Sequence, residues 1–170
     1  MRNILLIIGM VLSNITFAQP TDRFEDIDDV FNFEVPQGLF QQISNTKFSS
    51  LKLNATIEFN YESEYIGVEN PNADINVAFR NAKKGLNTKY QVLNKNKFTV
   101  SGLDKLGNIV YIKGVSDSLI SKNGCDDCIP VWMWTKTIII IIKYPPSSKV
   151  EMDRVLSTFL KTLKIVPALI

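Results

Sequence analysis

No histidine occurs in this 170-residue chain, and that absence removes every catalytic triad, dyad or metal site that depends on an imidazole. Cysteine is almost as scarce: Cys125 and Cys128 are the only two, so no second CxxC exists to complete a four-thiolate zinc site. The eight glycines are scattered, and they form neither a phosphate-cradling loop nor a dinucleotide fingerprint. Gly102, Gly107 and Gly114 read as turn or strand-bend glycines. An excess of one charge is also missing, with 19 basic residues against 17 acidic ones, a balance that argues against a nucleic-acid partner. A membrane-crossing helix needs roughly 20 consecutive apolar residues, and the run from Ile4 to Leu12 is about half that length before Ser13 and Asn14 interrupt it. There is no internal repeat and no low-complexity tract.

That short apolar run instead has the layout of a secretory signal peptide. Arg2 supplies the charge, Ile4 to Leu12 the apolar stretch, and Thr16-Phe17-Ala18 the small-residue cleavage site before Gln19. No cysteine stands near the cleavage point to take a lipid. The expected organisation is a signal peptide over residues 1–18 and one domain over 19–170, with no membrane span once the signal is removed and a periplasmic or secreted location. A chain of that length can bury a sizeable core alone.

The organising stretch is Val131 to Tyr144, VWMWTKTIIIIIKY. Five successive isoleucines, Ile138 to Ile142, lack helical spacing and are β-branched throughout, so they predict a central strand covered on both faces. By the period of two, Trp132, Trp134, Ile138, Ile140, Ile142 and Tyr144 point to one side, and Met133, Ile139 and Ile141 to the other. Pro145 and Pro146 end the strand, and Ser147 or Ser148 is placed to cap a helix in which Met152, Val155, Leu156, Phe159, Leu160 and Leu163 recur at spacings of three and four. Upstream, Phe31 to Val35 alternates as a short strand ended by Pro36-Gln37-Gly38. Lys47 to Leu53 and Ala55 to Tyr61 read as a hairpin. Asn70-Pro71 opens a helix with Ile75, Ala78, Phe79 and Ala82 on its apolar stripe, up to Gly85. Thr88 to Leu93, Lys97 to Leu103 and Ile109 to Val115 form a meander, and Ser116 to Pro130 is a long loop. Gln19 to Asp29 reads as a solvated lead-in. Its Asp26, Asp28 and Asp29 lack the ligand spacing of a calcium loop.

The order KYQVLNKNKFTVSG, GNIVYIK and IIKYPPSSKVEMDRVLSTF, with FNFEVP at Phe31 to Pro36 and KFSS at Lys47 to Ser50, resembles the PsbP-like superfamily. That group includes photosystem II extrinsic subunits, a nuclear Ran-binding factor and uncharacterised exported bacterial proteins. The resemblance covers most of residues 19–170 and implies an α+β fold: a mainly antiparallel sheet of about six to seven strands flanked by helices on both faces, an α/β/α sandwich. This agrees with the two-sided burial argued for the isoleucines. It carries over no active site.

Candidate chemistry is therefore sparse. Glu58, Glu62 and Glu64 are evenly spaced, as on a solvated strand face. Lys113 lies among apolar neighbours, a setting in which lysine stems commonly snorkel. Cys125-Asp126-Asp127-Cys128 has three readings. A disulfide pinning the loop suits an oxidising compartment and is the expected one. A redox pair would ordinarily open a helix, and Asp126 and Asp127 oppose thiolate formation. A metal would have to complete its shell with carboxylates. Trp132 and Trp134 on one strand face have two readings: ordinary core or, half exposed near the strand end, anchors of a binding edge. The sequence thus implies an exported, non-catalytic binding or accessory module with no cofactor and no metal, and a protein partner in the cell envelope. The alternative is a thiol redox protein, or another enzyme, using the Cys125/Cys128 loop.

Overall fold

The computed structural model describes residues 20–25, 31–65, 73–121 and 132–165. The fold is α+β and mostly antiparallel, with a seven-stranded sheet and a three-stranded one. The larger sheet begins with β3 (Gln41–Ser44), β4 (Lys47–Ser50) and β5 (Ala55–Tyr65). Helix α1 (Ala73–Lys83) then leads to β6 (Asn87–Leu93), β7 (Lys97–Leu103) and β8 (Ile109–Ser121). The isoleucine strand, β9 (Trp132–Tyr144), inserts between β5 and β8, giving the order β3-β4-β5-β9-β8-β7-β6. It pairs with β8 from Trp132 to Tyr144 and with β5 from Trp134 to Lys143, which is why a run with no polar alternation is tolerated there.

Alternate residues of β9 enter two different cores. Ile138, Ile140, Ile142 and Tyr144 join Met152, Val155 and Phe159 of helix α2 (Lys149–Thr162). Ile139 joins Ile75 and Ala78 of α1, together with Phe98, Val100, Val110 and Ile112 of the meander. The small sheet contributes to the first of these. Strand β2 (Phe31–Pro36) pairs on one side with β1 (Thr21–Glu25) and on the other with β10 (Lys164–Ile165). Its alternation buries Phe31, Phe33 and Val35 completely. Phe31 stacks on Phe59 at 3.7 Å, and Phe33 meets Phe48 edge-on at 5.0 Å and Phe159 at 4.9 Å. Fully burying each such side chain contributes about 1.5–3 kcal/mol. The cluster ties β2, β4, β5 and α2 into one unit.

Several expectations change. The lead-in does not run solvated through Glu25, because Thr21–Glu25 is paired to β2 and Phe24 packs on Phe33 and Phe48 at 5.5 and 4.9 Å. One aromatic among acids suffices to seat the strand, while Asp26, Asp28 and Asp29 lie outside the described residues. Strand β4 stops at Ser50 rather than Leu53, since Leu51 to Asn54 turn and Asn54 takes a positive φ of 48°. Strand β8 continues six residues past Val115, in register with the first half of β9. Its polar serines hid the strand, and a long neighbour supplies the ladder. Ser148 precedes α2 but makes no capping bond, because its hydroxyl donates to the Leu53 carbonyl at 2.7 Å instead. Gly114 bends nothing. It lies within β8 opposite Phe98, where the ring occupies the space of a Cβ.

Candidate functional site

Of the residues singled out for a site, Trp132 and Trp134 fall at one end of β9. The backbone of Trp134 pairs with Tyr65 on one side and Leu119 on the other, and Trp132 pairs with Ser121. Cys125 and Cys128 lie outside the described residues. Glu58 pairs across strands with Lys47 at 3.8 Å, both side chains well exposed, which is the solvated arrangement expected of it.

Lys113 stands on the Ile140 side of the sheet, between Thr99 and Ile140. Burial, assisted by Lys97, holds its pKa below the ordinary lysine value. Beside it, burial raises Tyr111, a hydrogen bond from Thr99 opposes that rise, and Tyr90 adds a smaller push upward. The register explains this neighbourhood: Val92, Thr99 and Lys113 form one cross-strand row, and Tyr90, Ser101 and Tyr111 the next. Where α2 and the small sheet do not reach, the sheet therefore displays hydroxyls and ammonium groups.

In the turn between β7 and β8, the Asp104 carboxylate accepts from Lys143 Nζ at 2.6 Å and from the backbone N–H groups of Leu106 and Asn108, both at 2.9 Å. The lysine, then Asn108, hold this carboxyl far below the usual carboxylate range. These bonds close the turn, in which Gly107 takes φ +79°, and tie it to β9 through Lys143, so the cluster is structural.

A groove of about 270 Å³ opens beside the C-terminal end of α1. Ile139, Ile141 and Leu86 contribute apolar walls, and Asn60, Asn81 and Lys84 supply polar groups. Its volume is just under that of ligand pockets, roughly 300–1,000 Å³. Nearby, Thr137 Oγ1 donates to Ser116 Oγ at 3.2 Å, so both buried hydroxyls are satisfied. Among the described residues no cluster of acids and cysteines could hold a metal, and no helix is long and apolar enough to cross a membrane.

What sequence reasoning missed is how charge is distributed. Residues 73–115 hold eight lysines and arginines against two acids, whereas residues 19–72 hold three against ten. A whole-chain balance near zero concealed both halves, and a running charge count would have exposed them. The fold gathers the basic half at the β6–β7–β8 end of the sheet, under α1, whose last turn carries Arg80 and Lys83.

Among solved structures, the chain is similar to the solution structure of cyanobacterial PsbP from Synechocystis sp. PCC 6803, with 10% identity and a TM-score of 0.48 over 90% of this chain and 96% of that one. No known family profile matches the chain, and neither does any curated protein.

Proposed function

We propose that this protein is an exported, non-catalytic binding or accessory module, an α/β/α sandwich with α1 on one face of the seven-stranded sheet and α2 on the other. The alternation of the isoleucines between two cores supports the sandwich. The observation that carries the binding role is the basic rim at the β6–β7–β8 end: among the described residues, Lys89, Lys95 and Lys97 have no carboxylate within ion-pair reach. Unpaired charge of one sign, gathered at one end of a sheet, steers a complementary partner.

In this reading the mature chain runs from Gln19 as one domain over residues 19–170. A Cys125–Cys128 disulfide braces the loop beside Trp132 and Trp134, lowering the ordering cost when that end engages a partner. The test is chemical cross-linking and affinity purification of the mature chain from the envelope fraction of its native host. Intact mass should place the N-terminus at Gln19 and show both thiols oxidised. Recovery of no stoichiometric protein, together with catalysed thiol–disulfide exchange by the purified chain, would sink this reading in favour of the redox one.

A further inference from the structure

Among the described residues no further strand pairs with either end of the larger sheet, and the two edges are not equivalent. At one end, β3 is four residues long and its pairing with β4 is interrupted between Gln42 and Ser44, leaving no regular stretch. At the other, the irregularity in β6 falls between Thr88 and Tyr90. Short strands and bulges with lysines blunt an edge, and Lys89 sits at that bulge. Beyond it, Tyr90, Gln91, Val92 and Leu93 pair regularly with Ser101, Val100, Thr99 and Phe98.

The main-chain direction of this stretch follows from one bond. Asn94 N donates to Lys97 O at 2.8 Å, so in an antiparallel ladder the alternate residues Val92 and Tyr90 also face β7. Gln91 and Leu93 therefore aim their N–H and C=O groups away from the sheet. The side chains offer grip as well, with Tyr90, Val92 and Leu93 exposed by 56%, 37% and 39%. Cations bracket the edge: Lys95 and Lys97 in the exposed β6–β7 hairpin, Lys113 two strands in, and Arg80 and Lys83 on the helix above.

We propose that the outer edge of β6, from Tyr90 to Leu93, takes up an extended acidic segment of a partner protein as an added strand, with its carboxylates set against Lys95, Lys97 and the neighbouring cations. The inference rests on the binding-module reading and names the surface and the partner chemistry. A polypeptide fits better than a phosphate backbone or an anionic lipid surface. The edge presents donors and acceptors in alternation, which another main chain matches and a row of phosphate acceptors does not.

The test uses the ¹⁵N-labelled mature chain at low salt. The probe is a blocked decapeptide alternating glutamate and valine, with its glutamine-valine counterpart, a short DNA duplex and phosphatidylglycerol vesicles as comparisons. Expected are amide shifts centred on Gln91 and Leu93, weaker binding as salt rises, and clear preference for the glutamate peptide. Gln91→Pro removes an outward N–H that β7 does not use, and should weaken binding about tenfold with little change in melting temperature. Should that variant fold poorly, Lys95→Glu/Lys97→Glu alters only exposed side chains and should weaken binding at least as much. The proposal is overturned by shifts centred elsewhere, by no shifts at millimolar peptide, by equal binding of the glutamine peptide, or by tighter binding of DNA or vesicles. Self-association of the chain through β6 also overturns it. A partner recovered from the envelope that leaves β6 untouched removes this proposal while sparing the module reading. Recovery of none, together with catalysed thiol–disulfide exchange, removes the module reading itself.

Discussion

Gly114→Ala gives the most direct reading of how the α1 side of the sheet is packed. Gly114 lies in β8 between Phe98 on β7 and Ile139 on β9. Its backbone has no positive φ, so an alanine is allowed conformationally and the objection is space alone. A Cβ there overlaps Cε1, Cζ and Cδ1 of the Phe98 ring. That ring is 1% exposed and meets Phe79 edge-on at 5.7 Å, so it cannot swing away without displacing α1. Overpacking of this kind costs about 1–3 kcal/mol, and removing a strand glycine returns about 0.5–1 kcal/mol. The expected net loss is up to about 2.5 kcal/mol, or up to roughly 10 °C in melting temperature for a domain of this size. Urea unfolding followed by tryptophan fluorescence, with a thermal scan by circular dichroism, measures it. Phe98→Leu in the same background should recover part of the loss, with a coupling of about 1 kcal/mol. An alanine variant at least as stable as wild type, with the leucine substitution purely additive, would refute the packing argument.

Gly102→Ala should cost more than Gly114→Ala in the same assay, because the added methyl meets the backbone of Asn87 and Thr88, which cannot turn aside as a ring can. Phe159→Ala should lose about 3–5 kcal/mol in urea unfolding, since the side chain is fully buried against Phe33 and Phe59. An unchanged midpoint would show that α2 does not dock as described. Lys113 has a folded pKa below its ordinary value of 10.5, so the unfolded chain binds more protons between the two, and wild-type stability should rise with pH across that window. Lys113→Met should lack that rise and show a higher urea midpoint than wild type at pH 7. A lower midpoint at pH 7 would show that the ammonium stabilises the fold.

The sequence disclosed those parts of the fold in which local pattern and tertiary context agree. The isoleucine run, the stripe of α2 and the Lys97 to Leu103 strand are each readable because burial on one or two faces writes a period into the chain. The parts that stayed hidden are held by partners distant in sequence. Strand β1 depends on Phe24 meeting Phe33 and Phe48, β10 is two residues paired to Asn32 and Phe31, and residues 116 to 121 are strand only because β9 lies alongside. The basic edge left its mark in residue types rather than in periodicity, and the total charge cancelled it against the acidic first third. Cys125 and Cys128 are legible as a motif, and the compartment and the flanking acids favour a bridge, but a spacing of two residues is shared by a bridge, a redox pair and a metal site, and their chemical state is what separates these.

Strand β9 has a further consequence, for the order in which the molecule can form. It arrives late in the chain, yet every hydrogen bond joining the β3-β4-β5 half of the sheet to the β8-β7-β6 half passes through it. Thr56 waits for Lys143, and Phe59 for Ile140. Closing loops of that span costs entropy before any contact offsets it, which slows folding. A growing chain would thus carry two unfinished three-stranded pieces with bare inner edges at β5 and β8. Only when the isoleucines emerge can either edge be sealed, and one strand then covers both.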